Sequence, residues 1–371
     1  MIVGVPRETA DGERRVALTP ADVEHLAAQG IQVLVQQGAG WRADFTDAGY
    51  LRAGAVLLPD QDSVFAAADV VAWVKPPARE LDSLPLRSGQ VLMGFQDPVH
   101  RRGRLAELAA RGVKSIAFEQ LSRRPGTRDP DPLSAMSRIA GAVAYLEGRA
   151  LLPFARETAT RPESIHALGQ RVSNDEGGSH EPRVGGQDVP PDGVGSPEAG
   201  ESQLGRNASR ALVIGAGQAG LAAVAAAVDE GDELPIVIGN RAAQRATALE
   251  AGADRFRLAP SADAVSEVIR RFTPDLVLCA AGQRGSAAPV LLDHAGLAAL
   301  PVGAVVVDLT AKAGGNCVAT VANATVRVAN GVLVMHRSNF PAARPHLASR
   351  VYGAATAAQI LGLAAAWRTV A

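Results

Sequence analysis

Residues Arg210 to Gly220 read RALVIGAGQAG and run into the alanine-rich stretch Leu221 to Val228. Four apolar residues, Ala211 to Ile214, lead straight into Gly215-Ala216-Gly217-Gln218-Ala219-Gly220, and a helix-forming sequence follows. The order strand, tight turn, helix leaves few folds open. The first glycine makes the turn and the second lets main chain approach a pyrophosphate. The third lets helix and strand pack closely, with the helix N-terminus facing the phosphates. A GxGxxG pattern alone arises by chance in a chain with 38 glycines. The weight therefore rests on the flanks, which are right on both sides; the bland alternative is a structural turn with no ligand.

At 371 residues the chain is long enough for two domains, since single cores stop growing at roughly 250 to 300 residues. A hydrophobic share of 47% with 20% charged residues is that of a globular protein. The net charge of −1 gives no reason to expect nucleic acid or an anionic membrane surface as a partner. Of 37 basic residues three are lysines, Lys75, Lys114 and Lys312, which gives a lysine inside a motif more weight. Cys279 and Cys317 sit in apolar or glycine-rich contexts, as reduced thiols do. The opening MIVGVPRE has no basic n-region, so no signal peptide is readable. No uninterrupted apolar run reaches about 18 residues, so no membrane span is expected. The expected setting is the cytoplasm.

Short apolar runs at Ile2–Val5, Ile31–Val35, Val70–Val74, Val91–Gly94 and Val113–Phe118 alternate with helical patterns at Pro20–Gln29 and Leu105–Arg111. Strands alternating with helices of about ten residues predict an α/β fold with a parallel sheet covered on both faces. A longer helix is expected over Ser134–Leu152. From about Arg156 to Ser209 the chain is rich in Gly, Pro, Ser, Glu and Asp with almost no apolar period, which reads as a flexible insertion. His166 and His180 lie in it without a further ligand at metal spacing, so no metal site is expected. After the glycine turn, strands are predicted at Pro235–Ile238, Asp275–Cys279, Ala304–Asp308 and Gly331–His336. Helices are predicted at Ala242–Ala251 and His346–Trp367, the last packing against the first domain.

Four segments together resemble one family, the alanine dehydrogenases and the soluble NAD(H)-binding domain of NAD(P) transhydrogenases. They are Gly4-Val5-Pro6-Arg7-Glu8 with Glu13 to Pro20; Pro132 to Gly141 (PLSAMSRIAG); the glycine turn; and Val305 to Cys317 (VVVDLTAKAGGNC). The resemblance covers nearly the whole chain outside Arg156–Ser209. It implies two Rossmann-like domains with parallel sheets and a cleft between them. Residues 1–140 with 341–371 would form a discontinuous domain, and 141–155 a connecting helix. After the 156–209 insertion, 210–340 would form the inserted dinucleotide domain. A homodimer is also implied.

The resemblance implies cofactor contacts from Gly215, Gly217, Gln218, Ala219, Gly220, Gly239, Asn240, Arg241, Ala280, Gly282 and Asp308. The Gly-Gly-Asn-Cys and Leu-Ser-x-Met-Ser-x-Ile-Ala-Gly runs resemble the transhydrogenase branch, in which this domain exchanges hydride with an NADP-binding partner next to membrane subunits. In that branch Asp131 and Ser134 help fix the nicotinamide, with Arg123 or Arg124 nearby. A helix N-cap is the structural alternative for Ser134. Arg15, Lys75 and Asn339 resemble the dehydrogenase branch, where an Arg fork binds a substrate carboxylate and a Lys polarises a keto oxygen. Structural alternatives are a surface ion pair of Arg15 with Glu8 or Glu13 and a solvated Lys75. Against that branch, Asp97 stands where its catalytic His falls, with His100 three residues on, and Lys312 stands where an Asp belongs. Losing one general acid–base costs about 10²–10⁴-fold, whereas hydride exchange loses nothing. The reading is thus a transhydrogenase alpha-like hydride carrier. The rivals are a stand-alone amino or keto acid dehydrogenase or imine reductase, and a non-catalytic nucleotide-binding protein. NAD is the cofactor implied; Gly239, where the family's ribose-binding Asp falls, leaves NADP open beside it.

Overall fold

The computed structural model describes residues 1–98, 101–121, 131–159, 208–283, 286–328 and 330–368. The N-terminal half alternates β1 (Ile2–Val5), α1 (Pro20–Ala28), β2 (Gln32–Gln36), α2 (Asp47–Arg52), β3 (Val56–Leu58), α3 (Gln61–Ala67), β4 (Val70–Ala72), β5 (Val91–Gly94), α4 (Arg102–Ala110) and β6 (Lys114–Ala117). The strands form one sheet in the order β3-β2-β1-β4-β5-β6, every neighbouring pair parallel. Parallel neighbours need crossover connections, and the intervening helices supply most of them. The inner strands are apolar runs because both of their faces are buried.

A 27-residue helix, α5 (Pro132–Thr158), leads into the second half. There follow β7 (Arg210–Ile214), α6 (Gln218–Asp229), β8 (Glu233–Gly239), α7 (Gln244–Glu250), β9 (Arg255–Leu258), α8 (Ala262–Phe272), β10 (Leu276–Cys279), α9 (His294–Ala298), β11 (Val305–Asp308), β12 (Thr325–Arg327), β13 (Leu333–Met335) and α10 (Pro345–Arg368). The second sheet runs β12-β13-β11-β10-β7-β8-β9. It is parallel except at one edge, where β12 lies antiparallel to β13. The α/β class with parallel sheets is as expected, and the antiparallel edge is an addition to it.

Close packing of α5 on α6 seats the second sheet. A Cβ at Gly141 would overlap the Ala219 carbonyl, and one at Gly148 would lie 2.6 Å from Val307 and 2.8 Å from Leu276. Only glycine permits main chain to approach this closely. At the other end of the chain, α10 returns to the N-terminal sheet. The Tyr352 hydroxyl donates to the Trp73 carbonyl (2.7 Å), the Val16 N–H donates to Ser349 (3.0 Å), and His346 stacks on Phe45.

Two expectations change. The α5 helix continues to Thr158, so Arg156 is helical and does not open an insertion; its guanidinium pairs with Asp275 at 3.2 Å. The rest of that segment, with His166 and His180, lies outside the described residues apart from its ends, as do Arg123, Arg124 and His100. Strands β3, β9 and β12 and helices α2, α3, α8 and α9 are also absent from the sequence reading. All three strands are sheet edges. An edge strand such as β9, Arg-Phe-Arg-Leu, is largely exposed and lacks the apolar run that reveals an inner one.

Candidate functional site: a cavity at the switch point of the second sheet

The strand order of the second sheet reverses at β7, whose neighbours are β8 on one side and β10 on the other. Outside the carboxyl ends of these strands lies the crevice where such sheets bind ligands. A cavity of about 1590 Å³ occupies it, lined by residues following β7, β8, β10 and β11 and by Glu119, Leu121, Leu133, Ser134 and Ser137. It exceeds the roughly 300–1,000 Å³ of an ordinary small-ligand pocket, and it draws on both halves of the chain.

The three glycines of the turn occupy three different settings. Gly215 has φ 111°, and a Cβ there would lie 2.6 Å from the Ala280 carbonyl. Gly217 N-caps α6, lines the cavity, and would present a Cβ to open space. A side chain there would take the room a ligand needs. Gly220 packs inward, where a Cβ would overlap the Gly215 carbonyl; it supports the turn and does not line the cavity. Gln218, Ala219, Ala280 and Gly282 do line it, and Gln218 accepts from Arg138 of α5 at 2.8 Å.

Asp308 is placed differently from the expectation. It is fully buried and absent from the lining. Its carboxylate accepts from Thr310 N (2.8 Å) and Oγ1 (2.7 Å), Asn316 N (2.8 Å), Cys317 N (3.0 Å) and Thr320 Oγ1 (2.8 Å). Five donors on one carboxylate make it the anchor of the loop after β11, not a cofactor contact. Asn316, which the sequence reading assigned no task, carries the anchor onward. Its amide accepts from Ala281 N (2.9 Å) and donates to Ala281 O (2.8 Å) and Pro289 O (2.7 Å). The Gly314-Gly315 pair, both at positive φ, turns the chain so that Asn316 reaches the loop after β10. Two cavity walls are thereby fixed to one another.

At the far end, Gly239, Asn240, Arg241, Gln244 and Thr247 line the cavity. The Gln244 side-chain oxygen accepts from Asn240 N (3.2 Å) and Arg241 N (3.1 Å). At the near end, Asp131 is the N-cap of α5, accepting from Leu133 N (3.0 Å) and Ser134 N (3.3 Å), while Ser134 Oγ donates to it at 2.7 Å. The cap is therefore Asp131, and Ser134 is the third helical residue, facing the cavity. Glu119 accepts from the main-chain N–H of Gln96 (3.0 Å) and Asp97 (2.8 Å). Asp97 itself sits at φ 52°, held by that carboxylate.

A second polar cluster joins residues 324 positions apart. Arg15 Nε and Nη2 donate to Glu13 at 2.7 and 2.6 Å, and Nη2 also reaches Asn339 Oδ1 at 3.0 Å. Lys75 Nζ stands 3.4 Å from Glu13 and Asn339 Nδ2 donates to it at 3.1 Å. The structure thus brings Arg15, Lys75 and Asn339 together around Glu13. The pair is buried, with Arg15 3% and Glu13 0% exposed, not a surface ion pair. Burial pushes the Glu13 carboxyl up, but Arg15 and Lys75 outweigh it and hold it down at about 2. Burial and the nearby Glu13 charge push Glu8 up to about 8, against the Val74 and Lys75 N–H groups that bond its two oxygens at 2.6 and 3.0 Å. Burial pushes the Lys75 ammonium down, as do the Arg15 and Lys312 charges, against the pull of Glu13. Lys312, from the second half, therefore acts electrostatically on Lys75. Beside the cluster is a cavity of about 230 Å³ lined by Arg7, Glu8, Glu13, Arg15, Trp41 and Arg42 among others.

These features define a class: a two-sheet α/β protein with a dinucleotide-sized cavity at the switch point of its second sheet. More particularly, the chain belongs to the alanine dehydrogenase/PNT family. The profile of that family's N-terminal domain matches residues 4–140, and that of its C-terminal domain matches 200–369. The chain is 30% identical over 372 residues to the NAD(P) transhydrogenase subunit alpha of Cereibacter sphaeroides, covering 95% of this chain and 63% of that one. It thus spans less than two thirds of that relative's length. It is 41% identical over 150 residues to the alanine dehydrogenase of Mycobacterium tuberculosis, covering 40% of this chain and 39% of the relative. The structure of a transhydrogenase from Sinorhizobium meliloti superposes with a TM-score of 0.75 at 26% identity, over 97% of this chain and 93% of that one. Relatives of both branches match, so the chemistry of the cleft has to separate them.

Proposed function

We propose that this chain is an NAD(P)-dependent oxidoreductase of the transhydrogenase alpha type, exchanging hydride with a second nicotinamide dinucleotide held by a partner subunit. Residues 1–140 with 341–371 and residues 210–340 act as its two domains. The observation that carries the reading is the engagement of the acidic groups at the cleft. Glu13 is held by Arg15, Lys75 and Asn339. Asp97, standing where the dehydrogenase branch has a His, is tethered through its main chain to Glu119.

A nicotinamide dinucleotide, when bound, would supply hydride chemistry, which calls for no proton transfer from the protein. The protein then has to position and exclude water, not protonate. In this reading Gly215 to Ala219 hold the pyrophosphate, while Asp131 and Ser134 orient the nicotinamide end. No described helix is long and apolar enough to cross a membrane, so proton translocation would fall to partner subunits, with this chain on their cytoplasmic side.

One observation favours a second reading, an amino or keto acid dehydrogenase. The cavity of about 230 Å³ beside Arg15 has room for a small carboxylate. A single assay separates the two. The chain is mixed with a reduced dinucleotide, an acetylpyridine dinucleotide acceptor and an NADP-binding transhydrogenase domain. Exchange is expected, and it should survive Lys75→Ala. Absence of exchange, together with oxidation of the reduced dinucleotide by a keto acid and ammonia that Lys75→Ala abolishes, would overturn the proposal.

A further inference from the structure

We infer that the adenosine-ribose end of the cavity is built for a 2′-phosphate, so that this chain prefers NADP(H) to NAD(H); the inference rests on the cavity being a dinucleotide site. In NAD-type sites a carboxylate at the end of the second strand binds the ribose hydroxyls and repels a 2′-phosphate. Here that strand, β8, ends at Gly239. The glycine is more than a missing aspartate, because the space is filled. A Cβ built at Gly239 lies 2.6 Å from the Gln244 side-chain oxygen and 2.6 Å from each of two ring carbons of Phe256. No acidic side chain fits without moving both.

The filling residue also shapes the loop. Gln244 accepts the N–H groups of both Asn240 and Arg241, which holds the chain that carries Arg241 into the lining. The described lining residues at this end include no acid. Glu119 is the carboxylate in the lining, and it lies at the opposite end with Leu121 and Ser134. Arg241 is exposed and lines the cavity, and an arginine fork is the group that binds phosphate through two N–H donors. Arg257, in register with Ile238 on the adjoining strand and exposed, adds positive field at the same corner. A ribose diol would find no acceptor of the usual kind there, whereas a phosphate dianion finds a guanidinium and no opposing charge.

The test is calorimetric titration of the full chain with NADPH and with NADH. NADPH is expected to bind at least tenfold more tightly, and Arg241→Ala should weaken it by about 10–100-fold, a larger loss than the same substitution causes for NADH. Asn240→Asp, nearly isosteric and at an exposed position, places a carboxylate in the same loop and should likewise penalise NADPH more than NADH. The inference is overturned if NADH binds as tightly as NADPH, or if both variants weaken the two dinucleotides equally. Binding of NADH alone would end the inference and leave the proposed function standing. Binding of neither would remove both.

Discussion

Two buried carboxylates, one in each half, are satisfied in opposite ways. Asp308 is surrounded by neutral donors from its own loop, three main-chain N–H groups and two threonine hydroxyls. Glu13 is surrounded by charges and an amide: Arg15 from its own loop, Lys75 from just beyond the end of β4, and Asn339 from the far C-terminal segment. The first arrangement fixes one loop and, through Asn316, its neighbour, which is what a preformed cavity wall needs. The second assembles charge across the fold at a cleft, where its energy depends on solvent, on pH and on what binds beside it. Neutral donors make a scaffold; paired charges make a site that can respond.

Removing each carboxylate should sharpen that contrast. Asp308→Ala leaves several buried donors unpaired and should destabilise the fold by roughly 3–5 kcal/mol, with loss of dinucleotide binding in the same titration. A melting shift equivalent to less than about 1 kcal/mol would break the scaffold assignment. Glu13→Gln leaves Arg15 buried without its counter-charge and should cost roughly 3 kcal/mol, yet dinucleotide affinity should stay nearly unchanged because the cavity walls are tied elsewhere.

The pH response should come from the charged half. Glu13, held at about 2 against an ordinary 4.5, is ionised in the folded state where the unfolded chain takes up a proton. Its stabilisation is present above pH 4.5 and is lost as pH falls toward 2. Glu8, raised to about 8 from 4.5, has the opposite sign: the folded state binds the extra proton, so its contribution falls as pH rises from 4.5 to 8 and then levels. Denaturant melts across that range should show the fall, and Glu8→Gln should flatten it whatever its baseline stability. A profile unchanged by the substitution would break the assignment. The smallest effect on folding is expected at Gly217→Ala, where the added methyl meets open space. Stability should move by under about 0.5 kcal/mol, while dinucleotide affinity drops because the methyl stands in the cavity.

What the sequence makes legible follows the same division. The glycine turn and the inner strands are local: an apolar run, then spacing, then a helix, all within β7 to α6. The cluster around Glu13 joins residue 13 to residue 339, a pairing no local pattern carries, and only the family resemblance placed Arg15, Lys75 and Asn339 in one cleft. Asp308 is a cofactor contact only by what the family resemblance implies. Its actual partners are mostly main-chain groups, which leave no mark in a sequence. Gly239 was legible as an absence. Why no side chain fits there depends on Phe256, which lies on β9, an edge strand that the apolar pattern does not reveal.

The proposed function requires hydride to pass between two nicotinamides with no proton moved by the protein. A reduced dinucleotide carrying deuterium at C4 should transfer that label to an acetylpyridine dinucleotide, in ordinary water and with an NADP-binding partner domain present, with no solvent hydrogen at C4 of the product and a rate flat between about pH 6 and 8. Failure of the label to reach the acceptor, while a keto acid and ammonia take it up along a bell-shaped pH profile, would contradict the account.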